Sequence, residues 1–167
     1  MIIRELIHVF QLLAFLFMQV LVFNHIHLFD YATPLVYVGF LMYFPLNYSR
    51  VGILLWGFLM GCLVDIFSNT PGVGAASTTL TALMQPVLLR YMAPKDSAED
   101  MLPNFSTLGY SNYIYFFAIL ISIHHITAFL LECFSYHDMM YLALTCGGSI
   151  LLTTLILWAI EHLLNRK

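Results

Sequence analysis

The chain has 167 residues, 61% of them hydrophobic and only 9% charged, with a formal net charge of −3. Soluble domains carry roughly 25% charged residues, so this composition excludes a soluble domain and predicts an all-α integral membrane protein, one polytopic domain over residues 1–167. No basic, aromatic-interleaved patch is present, which argues against a nucleic-acid partner.

The first span is expected from about Leu6 to Phe23, after Arg4 and Glu5, close to the ~20 residues a helix needs to cross a bilayer. Met1 to Val22 lacks a small-residue cleavage site, so this helix is expected to stay as an anchor. Asn24, His25, His27 and Asp30 follow it. A second helix is expected over Ala32–Phe44, bounded by Pro34 and Pro45. It is short for a span, so a re-entrant segment is the other reading. Tyr31, Tyr43 and Tyr48 fit interfacial anchors. The third helix runs from Val51 to Phe67 behind Arg50, and the fourth from Gly74 to Tyr91. Ala75, Ala76, Ser77, Thr78, Thr79, Thr81 and Ala82 make the fourth small and hydroxylated, and Pro86 is expected to kink it. Residues 93–111 form the one sizeable polar loop, with Lys95, Asp96, Glu99 and Asp100. The fifth helix is expected over Asn112–Leu131 and the sixth over Met139–Leu164.

With six transmembrane helices, Arg4, Arg50, Arg90, Lys95, Arg166 and Lys167 all fall on the face that carries the termini. The opposite loops, Asn24–Tyr31, Ser68–Val73 and Glu132–Asp138, hold no Lys or Arg. The positive-inside rule then places both termini, and the loop 93–111, in the cytoplasm. The outer side collects Asp30, Asp65, Glu132 and Asp138. Such a layer suits a partner that brings Arg or Lys to its membrane edge, or simply reflects topology.

The stretch from Gly57 to Ser77, GFLMGCLVDIFSNTPGVGAAS, organises the chain. Gly57, Gly61 and Asp65 recur every four residues and share one helix face. Glycines at that spacing let another helix approach closely in lipid, so Asp65 is expected on a packed seam. The C-terminal end of a helix disfavours an anion. The amides of the turn Asn69–Gly72, or of the next helix, are the expected partners. One reading is a carboxylate that caps a helical corner; the other is a functional charge.

In the fifth helix His124 and His125 are neighbours, about 100° apart, and cannot grip one metal from one face. His125 and Glu132 share a face two turns apart. A proton relay is one reading and histidines bonded to other helices the other. His25 and His27 would need further ligands to hold zinc. The three cysteines fit thiols in packing positions, not a disulfide framework. No P-loop, GxSxG, HExxH or CxxC occurs, so neither an enzyme nor a cofactor is expected.

The Gly57–Ser77 stretch resembles the signature of the bacterial rod-shape-determining membrane protein MreD family. There a Gly-rich helix ends in Asp, followed by a Ser/Asn-x-Pro-x-Gly turn and an Ala-rich helix. Ser122-Ile123-His124-His125 with Leu131-Glu132 is similar to one branch of that family. The resemblance implies a non-enzymatic scaffold of the cell-elongation, peptidoglycan-synthesising machinery in the bacterial cytoplasmic membrane. Its implied partners are MreC and, through it, MreB, RodA and a class B penicillin-binding protein. Asp65, Asn69, Pro71 and Gly72 match the signature, without an assigned chemistry. The six-helix outline is also similar to the substrate-binding subunits of energy-coupling vitamin transporters. Those dock through small residues spaced by three on the first helix, where this chain has only Ala14.

Overall fold

The computed structural model describes residues 2–26, 32–98, 100–132 and 139–164. It is built from helices: α1 (Ile2–Leu21), the 3-10 turn η1 (Phe23–His25), the 3-10 helix η2 (Val36–Tyr43), α2 (Arg50–Ser68), α3 (Val73–Met92), α4 (Phe105–Leu108), α5 (Tyr110–Glu132) and α6 (Met139–Leu164). Among the described residues, four helices are long and apolar enough to cross a membrane, over Ile3–His25, Arg50–Ser68, Tyr110–Glu132 and Ala143–Leu163. Their outward faces are large and apolar, with Phe10, Leu55, Ile66, Leu130 and Leu155 all exposed. Such faces are stable against lipid, where no water competes.

α3 has the length of a span but is less apolar, because hydroxylated residues line its inner face. Ser77, Thr78 and Thr81 are fully buried. Each hydroxyl donates back to a carbonyl three or four residues earlier: Ser77 and Thr78 to Gly74, and Thr81 to Ser77. That back-bonding satisfies hydroxyls inside an apolar bundle. The assigned helix continues through Pro86.

The second segment departs from the expected helix over Ala32–Phe44. The structure has a 3-10 helix eight residues long, with Val36 to Met42 buried. Two prolines explain the change. Pro34 and Pro45 each push the residue before them out of the α region, and Phe44 is extended at φ −91°, ψ 129°. Too few residues remain between them for an α-helix at 1.5 Å per residue to cross ~30 Å. A 3-10 helix rises ~2.0 Å per residue and its extended flanks rise further. The segment runs antiparallel to α1: Gln19 bonds Pro34 and Val36, His8 stacks on Phe44 at 4.4 Å, and Glu5 accepts from Tyr48 at 2.9 Å. It also touches α2, α3, α5 and α6, so it forms the axis of the bundle.

A 3-10 segment in that position must find partners for its terminal amides and carbonyls, because hydrocarbon supplies none. Gln19 Oε1 accepts from the amides of Val36 (2.8 Å) and Tyr37 (3.4 Å), while its Nε2 donates to the Pro34 carbonyl at 3.0 Å. Thr153 and Ser149 of α6 accept from the amides of Leu35 and Thr33. At the other end Gln85 of α3 donates to the Phe44 carbonyl at 3.1 Å. Gly39 has no room for a side chain: a Cβ there would lie 2.7 Å from Leu157 of α6 and 2.9 Å from Phe15 of α1.

The polar loop is anchored. Met101 and Leu108 are buried, the Leu46 amide donates to the Met101 carbonyl at 3.0 Å, and Asn104 and Thr107 form a reciprocal capping box around α4.

Candidate functional site

Asp65 lies in the last turn of α2 and is 6% exposed. Asn69 ends that helix in the left-handed conformation (φ 56°), and Gly72 at φ 89° starts α3. The tight corner brings the first amides of α3 onto the carboxylate. Oδ1 accepts from the Gly74 amide at 2.7 Å and the Thr70 hydroxyl at 3.0 Å; Oδ2 accepts from the amides of Ala75 at 2.9 Å and Gly72 at 3.1 Å. Four donors surround one anion at a helix N-terminus, where the helix dipole also favours negative charge. The same arrangement answers the orphan amides of α3. Gly72 itself has no side chain to cap with, so the cap comes from the preceding helix.

Gly57 and Gly61 set the distance at which this works. A Cβ on Gly57 would lie 2.8 Å from the Ala82 Cβ and 3.1 Å from the Thr78 carbonyl. One on Gly61 would collide with the Thr78 hydroxyl, the Gly74 carbonyl and the Ala75 Cα. The glycine face of α2 is therefore filled by α3 of the same chain. Asn69, Pro71 and Gly72 are exposed at the corner. Cys62 stays a half-buried thiol.

His124 and His125 are fully buried and point to different partners. His125 Nδ1 bonds the Ile121 carbonyl at 2.9 Å and Nε2 the Thr153 hydroxyl at 3.0 Å. A carbonyl only accepts, so Nδ1 carries the proton; in the neutral ring that tautomer leaves Nε2 to accept from the Thr153 hydroxyl. Thr153 in turn accepts from the Leu35 amide. This chain of bonds ties α5, α6 and η2 together through the His125 imidazole. His124 Nε2 meets Ser77 Oγ at 3.3 Å, its ring sits edge-on to Tyr37 at 5.0 Å, and its Nδ1 is buried with no hydrogen-bond partner among the described residues. Glu132 lies seven residues beyond His125, about 10 Å along the helix. It is exposed, and no hydrogen bond among the described residues connects it to either histidine. No group of three His, Cys, Asp or Glu among the described residues could hold a metal. His27, Asp30, Tyr31, Asp138, Arg166 and Lys167 lie outside the described residues.

Beside the Asp65 corner a pocket of about 520 Å³ opens between the ends of α1, α2 and α5 and the start of α3. Asn24, Thr70 and Glu132 stand on its wall and Tyr37 of η2 in its depth. Asn24 donates to Ser68 at 2.9 Å and accepts from Gln19 at 2.9 Å, which couples the wall to the η2 network. At the opposite end of the bundle, Glu5 accepts from Tyr48 and Trp56, and the Arg4 guanidinium lies 5.1 Å from the Tyr48 ring centre. Burial, then the Glu5 carboxylate, raises the Tyr48 phenol above its ordinary range.

Gln19, Tyr37, Gln85 and Thr153 carry much of this architecture and escaped the reading of the sequence. Their signal was present: a glutamine inside an otherwise apolar helix needs a buried partner. No family model, curated protein or solved structure matches the chain.

Proposed function

We propose that this chain is a non-enzymatic membrane scaffold of the bacterial cell-elongation machinery, of the MreD type, that binds MreC in the cytoplasmic membrane. The observation that carries the reading is the Gly57–Ser77 corner, in which every acceptor face of the Asp65 carboxylate is occupied by donors of the same chain. A carboxylate so held is a structural brace, not a reacting group. The bundle takes six crossings, with η2 and its extended flanks as the second, and both termini lie in the cytoplasm. In support, Arg4, Arg50, Arg90 and Lys95 sit where α1 and α2 begin and where α3 ends. Tagged protein captured from its native membrane is expected to bring MreC with it, and its depletion to round the cells. Capture without MreC together with an unchanged rod shape overturns the reading.

The pocket favours a second reading, the substrate-binding subunit of an energy-coupling transporter. Its volume falls in the range of small-molecule sites. That reading predicts thermal stabilisation by one member of a vitamin panel.

A further inference from the structure

We propose that the pocket beside the Asp65 corner binds a small organic cation, an ammonium group carried on an apolar body. The inference is independent of the scaffold reading and deepens the transport one, since it rests on the pocket being a ligand site.

The start of α3 would ordinarily attract an anion. Here the amides of Gly72, Gly74 and Ala75 are already directed at Asp65. The Thr70 hydroxyl also donates to Asp65, and the Asn24 amide group donates to Ser68. The wall has thus committed most of these donors internally; the second N–H of the Asn24 amide and the Ser68 hydroxyl hydrogen remain, beside the lone pairs of the Thr70 and Ser68 oxygens and the second lone pair of the Asn24 carbonyl oxygen.

Charge points the same way. The Glu132 carboxylate lines the pocket and makes no ion pair or hydrogen bond with any described residue. Among the described residues the lining holds no Lys or Arg, and His25 is its one base. Val64 and Phe67 from α2, Val73 from α3 and Phe129 from α5 add apolar surface to the wall. A carboxylate at the rim, acceptors on one wall and apolar side chains on the others complement an amine on an aromatic or aliphatic body. An anion would meet the Glu132 carboxylate with no Lys or Arg among the described lining residues in compensation, and like-charge juxtaposition is costly.

Labelled tryptamine is the probe, with the purified full chain in an uncharged detergent free of amine lipids. Indole-3-propionate and tryptophol are the anionic and neutral competitors. Saturable tryptamine binding, at least tenfold tighter than that of indole-3-propionate, is expected. Glu132→Gln, at an exposed position, should erase the preference, and Val73→Trp should abolish binding by filling the cavity. Repeating the measurement with phosphatidylethanolamine present separates two sources of the same chemistry. Competition by the lipid assigns the site to an amine headgroup, and undiminished binding assigns it to a free amine. Equal or tighter binding of the carboxylate, a preference that survives Glu132→Gln, or no saturable tryptamine binding overturns the proposal. Tryptamine binding with no response to any vitamin would sink the transport reading while leaving this one standing.

Discussion

A buried carboxylate with four donors is an asymmetric investment, because the donors suffer when it is removed. Asp65→Leu leaves the amides of Gly74 and Ala75 facing a side chain that cannot accept, each at a cost of about 1–3 kcal/mol. We expect it to lower the unfolding free energy by ~2–6 kcal/mol in a denaturant titration of the reconstituted protein. Asp65→Asn keeps one acceptor oxygen and should lose about half as much. Equal stability of all three proteins would show that the corner does not depend on the capped carboxylate. The partners of Asp65 were within reach of the sequence, since a carboxylate four residues before an Asn-x-Pro-Gly turn has few other donors nearby. The identity of each amide was not, because it depends on the left-handed Asn69 and Gly72 together.

At the level of elements, hydropathy located α2, α3, α5 and α6 to within a few residues of their ends. It failed over residues 32–44, where apolar content is high but the winding is set by two prolines and by side chains distant in sequence. Gln19 is the clearest case. One amide group serves the Val36 and Tyr37 amides, the Pro34 carbonyl and the Asn24 side chain. Gln19→Leu preserves bulk and removes all four bonds. Amide hydrogen exchange at Val36 and Tyr37 should accelerate at least tenfold, while exchange in the middle of α5 stays unchanged. Unaltered protection at Val36 would mean that burial alone fixes η2.

For the whole molecule, the described cations gather at one end of the bundle and the Asp65 corner and Glu132 at the other. That polarity was legible before any coordinates, because it follows from where Lys and Arg fall between apolar runs. The way the bundle closes around a non-α axis was not, because it requires contacts between residues more than a hundred apart in sequence. In a background lacking the native cysteines, Pro71→Cys should react with a membrane-impermeant maleimide in intact cells. Lys95→Cys should react only after lysis. Labelling of both in intact cells would contradict the six-crossing arrangement with cytoplasmic termini.

The bonds from Thr33 to Ser149 and from Leu35 to Thr153 link positions separated by 116 and 118 residues. A regular helix can leave the translocon with its backbone already self-satisfied, but residues 32–45 cannot. The amides of Thr33 and Leu35 must wait, in contact with water or a provisional partner, until α6 has been synthesised. Folding of the η2 segment is therefore closed by α6, and a nascent chain stopped before α6 leaves those two amides unpaired, a defect that quality-control proteases can recognise.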